Sequence, residues 1–592
     1  MNEDRRKAEE MQDAAVNHPH ACYVEACPGA GKTQTLVRRV VRQLPLFPTR
    51  HGIAVLSFTN SAVDEFTERF TAETASRLTF PHFVGTFDAF LNQFIVLPHG
   101  LIGCQMRPVI VDAWHDIQIH HGIPGVQAAP IALKNFDADG KLSDRAYANL
   151  KGKQKGCKSG YEAVAKLRLE GLARKGMIDA VAARRLVVER LRNAEYETAL
   201  GDAIAARFKE IIVDEAQDCN DEDVAILTWL QSHGVRLILV CDPDQAIYGF
   251  RKGVATAFGT LAATFPKLEL TGNFRSSRVI CAAAATLRGR PQPDLAVGDH
   301  RNVDHPVWIV TYKQSVEAKA AVAKTFTELV TRLEIDPTKS IVLAHRRSMA
   351  ERVAGNPPHS TGGTSRLGWL VGCVTGYHAE GASGRQREQF IRSLIKLLME
   401  IEGVPVDERA ALHQLKDIAR EREYFRKAIE VLEALPPVCV GPDAVKAWVV
   451  AAKAVLLRVT GLNVRLAIRN ANWSSPLSPR TISGTRYATV HEAKGKAYDA
   501  VCVVIDTERE KHGLLEEWKA RSSASSEALR VLYVAMTRAR KLLVLAVQEK
   551  DYVIVHELLR AASVPVSGTP PPAKVRKDRK KRRWASTNRE EL

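Results

Sequence analysis

Between residues 21 and 44 a short, mostly apolar segment leads through a glycine-rich turn into residues whose apolar members, Leu36, Val37, Val40, Val41 and Leu44, recur at helical spacing. Strand, loop and helix in that order point to an α/β core with parallel strands, because a helical crossover returns the chain beside a parallel partner. The turn reads Ala26, Cys27, Pro28, Gly29, Ala30, Gly31, Lys32, Thr33, the composition of a phosphate-binding loop. Gly29 and Gly31 let backbone N–H groups approach phosphate oxygens, Lys32 neutralises them, and the Thr33 hydroxyl suits Mg2+. Ala26 stands where the strict pattern has glycine, so a glycine-rich structural turn is the competing reading of this segment alone.

Further apolar runs at residues 53–58, 211–214 and 235–242 each lead into polar residues, as buried parallel strands do when they present chemistry at their C-terminal edge. The second run ends in adjacent carboxylates, Asp214 and Glu215. Asp214 suits the water shell of a metal ion and Glu215 suits a general base acting on water. A solvated acidic loop is the alternative, and the phosphate loop upstream tells against it, since nucleotide hydrolysis needs both parts.

The length, 592 residues, predicts three or four structural units. Long charged helical stretches at residues 161–175 and 180–200 interrupt the first core, and a second helical block, residues 381–460, separates an apolar strand at 341–344 from strands near 487–490 and 501–505. After residue 547 the pattern decays through a Pro/Ser/Gly linker into a basic tail too polar to build a core. The ten cysteines include no Cys-x-x-Cys pair, which argues against a disulfide framework, a zinc ribbon or an iron–sulfur cluster. A formal net charge of +17 favours a polyanionic partner over a membrane. No long apolar run and a polar start to the sequence give the expectation of a cytoplasmic protein.

Taken in order, Gln12, the phosphate loop, Phe58 with Thr59 and Asn60, Asp214 to Gln217, Asp244 to Arg251, Asn273 to Arg275, Thr489 to His491 with Lys494 and Gly495, and Tyr533 to Ala539 resemble the motif set of UvrD/Rep/PcrA-type superfamily 1 DNA helicases. The resemblance implies two RecA-like P-loop motor domains, each with a mainly helical insertion, and a disordered basic C-terminal tail. The expected bounds are 1–91 and 205–275 for the first motor domain, 92–204 for its insertion, 276–350 and 481–560 for the second, 351–480 for its insertion, and 561–592 for the tail. It implies that Gln12 reads the adenine of ATP, Phe274 stacks on it, Gln245 senses the γ-phosphate, and Arg275 and Arg538 act as arginine fingers beside Glu215. Thr33 and Asp214 would hold Mg2+. Single-stranded DNA would lie on Phe58, Thr59, Asn60, Thr86, Phe87, Tyr248, Phe250, Arg251 and His491.

The sequence departs from that pattern at Gln34, at Asp88 and at Lys496 and Ala497, where the family has Arg, His and Leu-Glu; the last change leaves sugar recognition open. The expected activity is ATP-dependent translocation along single-stranded DNA, 3′ to 5′, with unwinding at duplex junctions. Two rivals are a motor subunit working with a nuclease partner in DNA repair or antiviral defence, and a DNA-binding module that uses ATP only as a switch.

Overall fold

Two six-stranded sheets in which every neighbouring pair is parallel carry the two halves of the chain. They are seen in a computed structural model that describes residues 3–568 apart from 48–49, 112, 248–253, 291, 314, 356–365, 379–383, 407–408, 410–417, 437–441, 467–484, 508–512 and 522–525. In the first sheet the order is Lys267–Leu270, Cys22–Ala26, Arg236–Cys241, Phe208–Val213, Gly52–Ser57, Phe83–Thr86. In the second it is Tyr487–Thr489, Ser340–Ala344, Tyr498–Val504, Ala539–Gln548, Val307–Tyr312, Val566–Ser567.

The inner strands are continuous apolar runs because both faces are covered. Ile211 and Val213 point into one cluster with Leu237, Leu239 and Trp229, while Ile212, Ile238 and Val240 point into another with Val24 and Val37. The second sheet divides the same way, Val501 and Val503 facing Trp518 and Tyr533, and Ala500 and Cys502 facing Phe326 and Val330. The chain order within each sheet leaves the loops after the central strands on one edge, where the polar residues that end the apolar runs collect.

The first insertion is less uniformly helical than its charge pattern suggested. Val109–Val111 pairs with Met177–Asp179 in parallel, Gln118–Ile119 pairs with Ile131–Ala132 antiparallel, and these pieces share a cluster around Trp114 and Tyr161. The helices Ala180–Arg190 and Ala194–Arg207 instead send Ala183, Val187, Leu200 and Ile204 into the core of the first sheet. The second helical block, Arg366–Tyr377, Gly384–Ile401, Ile418–Ala434 and Pro442–Thr460, has a core of its own around Leu398, Leu432 and Trp448. The second sheet extends to Ser567, beyond the expected boundary at 560, and residues 569–592 of the basic tail lie outside the described residues. Nine described cysteines are free, and all but Cys104 are buried.

On the central strand Phe208–Val213 the fully buried Glu210 takes a bidentate pair from Arg39, with contacts of 2.9 and 2.8 Å, and a third contact of 2.6 Å from Arg236. Removing one partner of a buried ion pair leaves uncompensated charge, so Glu210→Ala should cost about 3 to 5 kcal/mol. Urea unfolding would show this as a lowered midpoint for the first transition, and an unchanged midpoint would contradict it.

Candidate active site

The phosphate loop joins the strand Cys22–Ala26 to the helix Lys32–Gln43. Gly29 and Gly31 adopt φ of +76° and +77°, a left-handed conformation that side chains disfavour. A Cβ at Gly29 would stand 2.5 Å from Asn273 Oδ1 and 2.7 Å from Arg275 Cβ, so the bare backbone is what lets residues 273–275 close over the loop. Phe274 N donates to Gly29 O at 2.8 Å, and Gln12 Nε2 donates to Ala30 O at 2.8 Å. Cys27, Pro28 and Ala30 are buried beneath these contacts, with Cys27 N bonded to Leu270 O at 3.0 Å, while Lys32 and Thr33 open the helix.

On the neighbouring strands the acids line up. Asp214 follows Phe208–Val213 and its backbone N–H is bonded to Leu56 O at 2.8 Å. Glu215 has φ +57°, a left-handed non-glycine position that costs on the order of 1–3 kcal/mol and persists where the surroundings hold it. Gln217 Nε2 holds its carboxylate at 2.5 Å, and Gln217 Oε1 accepts from Asp242 N at 3.1 Å. Asp242 Oδ2 accepts from Gln245 Nε2 at 2.6 Å and lies 3.9 Å from Lys32 Nζ.

The second half supplies the opposing cations. Lys494 Nζ, buried, lies 2.6 Å from Asp218 Oδ2, 3.4 Å from Glu215 Oε2 and 3.3 Å from Gln245 O. Arg538 Nη2 donates to Gln245 Oε1 at 2.9 Å, and in the opposite direction Arg275 Nη1 of the first half donates to Thr537 O at 3.0 Å. The turn Pro243–Gln245 is gripped further: Arg290 approaches Asp244 Oδ2 at 3.2 Å, Arg288 at 3.6 Å, and Arg530 donates to Ala246 O at 2.6 Å. A helix opened by Thr489 and Glu492 in a reciprocal capping box positions His491 and Lys494.

Charge in this cleft is unbalanced locally and compensated across it. Burial and the neighbouring Glu215 push the Asp214 carboxyl up, whereas Glu215, despite its burial, is held well below the usual carboxylate range by Lys494 and Lys32. Burial raises Asp242 to about 7. Burial works against the Lys32 ammonium, yet Glu215, Asp242 and Asp214 raise it above its usual value. Burial and the adjacent Arg538 bring Arg275 down to about 9, and burial lowers Arg538. Two guanidiniums that repel each other beside a phosphate loop form a site for an anion. The Thr33 hydroxyl and Asp214 are hard oxygen donors on one edge of the loop, and a carboxyl raised by burial gains from a nearby cation, so this donor set fits Mg2+.

The residues expected along the strand track fall into three groups. Phe58 is half-buried and stacks on Phe87, with ring centres 5.5 Å apart and planes 14° from parallel. Phe87 is fully buried, so it backs Phe58 and offers no face for a base. Thr59 and Thr86 cap helices, accepting from Ala62 N at 3.3 Å and Ala89 N at 3.1 Å, while Asn60 is exposed. His491 lies 5.8 Å from His345 on the second half, its imidazole lowered by burial. Tyr248, Phe250 and Arg251 lie outside the described residues.

Lys494, Asp218, Asp242 and Asn273 emerged only from the geometry; each sits within or beside a recognised motif, but nothing in the linear spacing tells which motif residue reaches across a cleft. The departures also have partners. Gln34 donates to Glu73 at 2.7 Å, and Asp88 pairs at 2.6 Å with Arg184, which also contacts Asp223 at 2.7 Å.

The chain matches the UvrD/REP helicase N-terminal domain over residues 8–266 and the UvrD-like helicase C-terminal domain over residues 467–550. It is 26% identical to the ATP-dependent DNA helicase PcrA of Leuconostoc citreum over 44% of this chain and 36% of that protein. It is 23% identical to the ATP-dependent DNA helicase srs2 of Schizosaccharomyces pombe over 48% of this chain and 35% of that one. To the Gabija protein GajB of Bacillus cereus it is 26% identical over 43% of each. The matched stretches thus span less than half the length of these relatives.

Because Asp242 binds its proton more tightly folded than unfolded, its contribution to stability declines as pH rises from about 4 to about 7. The stability of Asp242→Asn relative to the parent should therefore rise across that window in urea unfolding. A pH-independent difference would contradict the assignment.

Proposed function

Since the chain belongs to the UvrD/Rep-type superfamily 1 helicases, we propose that it is an ATP-driven motor that translocates 3′ to 5′ on single-stranded DNA and unwinds duplex junctions. The observation that carries this reading is the cleft in which Arg538 and Lys494 from one half meet Gln245, Asp218 and Glu215 from the other. We take the two sheets as RecA-like motor domains at 1–91 with 205–275 and at 276–350 with 481–560, the second prolonged by the strand Val566–Ser567, the blocks 92–204 and 351–480 as their insertions, and the residues beyond it, to 592, as a basic tail. The setting would be the cytoplasm; no helix among the described residues is long and apolar enough to cross a membrane.

In this reading Lys32 and the loop N–H groups hold the ATP phosphates, Gln12 and Phe274 take the adenine, and Thr33 and Asp214 hold Mg2+. The metal supplies charge neutralisation to the phosphates when bound. Glu215, kept ionised by Lys494 and Lys32, orients and deprotonates the attacking water. Gln245 reports the γ-phosphate to Arg538 through their hydrogen bond, and Arg275 and Arg538 stabilise the charge that develops on the transferred phosphoryl group. Hydrolysis and release remove the anion that the two guanidiniums share, so the cleft loosens and the halves shift along the strand. Phe58, with Thr59, Asn60, Thr86 and His491, forms the described part of the track; Tyr248, Phe250 and Arg251 complete it, and Phe87 supports it from beneath. This full set of hydrolytic groups favours turnover over a switch-only module.

A second reading, a motor subunit allied to a nuclease in DNA repair or antiviral defence, draws support from the likeness to GajB and from 38% identity over 98 residues to the RecBCD enzyme subunit RecB of Borreliella burgdorferi. Co-purification of a nuclease with the tagged protein from its native cells would separate it from a free-standing helicase.

Glu215→Gln should bind ATP and fail to turn it over, and Arg538→Ala should lower kcat roughly a thousandfold or more at saturating single-stranded DNA. Steady-state ATPase assays with nucleotide-binding controls test both. Wild-type turnover by either variant would overturn its role, and unwinding of a 5′-tailed duplex but not a 3′-tailed one would overturn the proposed polarity.

A further inference from the structure

The helix Ala180–Arg190 of the first insertion carries a buried arginine between two carboxylates from separate elements. Arg184 Nη2 donates to Asp88 Oδ1 at 2.6 Å, and its Nε lies 2.7 Å from Asp223 Oδ1. Asp88 sits in the first turn of the helix Phe87–Leu91, whose N-cap is Thr86 and whose first ring backs Phe58. Asp223 is fully buried and shares a capping box with Asn220 at the start of the helix Asp221–Ser232. Asn220 N donates to Asp223 Oδ2 at 3.0 Å, and Asp223 N donates to Asn220 Oδ1 at 2.8 Å. One tight turn separates that cap from the acid motif, with Asp218 N donating to Glu215 O at 2.9 Å and Cys219 N to Ala216 O at 3.2 Å.

Glu215 at φ +57° keeps its left-handed backbone only while its surroundings hold it, and the cap at Asn220 and Asp223 closes the turn that follows it. A guanidinium is planar, with donors fixed along its edges, so it serves both carboxylates only while the two helices keep their spacing. Apolar packing would tolerate a small slide that this bridge does not. Its two ends differ in access: the Asp88 side chain is 35% exposed and that of Asp223 0%. The accessible end is the one beside Thr86 and Phe58. Asp88 also stands where the helicase pattern has His, so the bridge comes with this chain's departure from the shared motifs.

We infer that Arg184 is a positioning residue that passes occupancy of the single-strand track to Glu215, so that the first insertion sets how strongly DNA accelerates ATP hydrolysis. The inference rests on the proposal that DNA on Phe58 and Thr86 drives turnover by Glu215. A strand seated there shifts the helix that bears Asp88, the guanidinium carries the shift to Asp223, and the cap carries it to the turn behind Glu215. The groups assigned to the nucleotide, Gln12, Lys32 and Phe274, are held by other contacts. Loss of Arg184 therefore uncouples DNA from hydrolysis and leaves nucleotide binding in place.

The experiment measures kcat and KM for ATP in the full chain with and without saturating oligothymidylate, together with the Kd for that strand. The variants are Arg184→Gln, Arg184→Lys, Asp88→Ala and the double variant Arg184→Gln with Asp88→Ala. Arg184→Gln should lower the ratio of stimulated to unstimulated kcat about tenfold, within the usual range of coupling between sites, while KM and Kd stay near the parent values. Asp88→Ala should lose a similar share, and the double variant no more than the worse single one. Arg184→Lys, which keeps the charge and loses the fork, should restore little of the ratio. An unchanged ratio in Arg184→Gln, an equal fall in both rates, or a loss confined to strand affinity would overturn the inference and leave Arg184 a structural tie. If Arg184→Gln does not fold, Asp88→Ala at the accessible end decides alone, and full stimulation in that variant overturns the inference. If the parent hydrolyses ATP without any response to DNA, the motor reading itself fails and the inference falls with it.

Discussion

A single ammonium group ties the two halves of the molecule together. Lys494 leaves the second sheet's edge and is buried among Asp218, Glu215 and the Gln245 carbonyl of the first. A lysine buried this deeply stays charged only when oppositely charged partners surround it, and a carboxylate pair buried without the lysine would be equally costly. Either half alone would therefore carry an uncompensated buried charge. Their apposition is an electrostatic requirement as much as a consequence of shape, and the rest of the cleft follows from it.

Around that contact the same logic repeats with different chemistry. Arg538, Arg288, Arg290 and Arg530 all reach the short turn that carries Asp244, Gln245 and Ala246. One turn of the first half is thus read by four arginines of the second. Displacing it by an ångström would disturb several charge-assisted hydrogen bonds at once. An event at the phosphate loop can reach this turn through Lys32, Asp242 and Gln245, which lie within 3.9 Å of one another in sequence of contact. Such a chain of polar contacts gives the proposed motor a physical route from phosphate chemistry to the interface between its halves.

Much of this is legible in the amino-acid sequence. The strand–loop–helix at Gly29 to Thr33 and the apolar run ending in Asp214 and Glu215 betrayed their positions because buried parallel strands must be apolar throughout and turn polar only at the edge where they stop. Strands such as Phe83–Thr86 and Lys267–Leu270 escape that rule because they are short and only partly buried, and Val307–Tyr312 because half of its residues are only partly covered. The charged helices of the first insertion lie where the sequence puts them, at Lys158–Arg174, Ala180–Arg190 and Ala194–Arg207, but Val187 and Ile204 supply enough apolar surface to join the neighbouring core. The resemblance puts Thr86 and Phe87 together on the nucleic-acid face, yet a ring beside a helix cap can point inward as easily as outward, and Phe87 points inward. Lys494 and Asp242 were invisible as a pair with their partners because their contacts depend on how two sheets meet, which no local pattern encodes.

The central claim is that Gln245 of one half and Arg538 of the other act as a unit. A double-mutant cycle on DNA-stimulated kcat, using Gln245→Ala, Arg538→Ala and the pair together, measures this directly. If the two side chains work through their 2.9 Å hydrogen bond, the double variant should be scarcely slower than the worse single one. Rate losses that multiply, so that the free-energy effects simply add, would contradict the account.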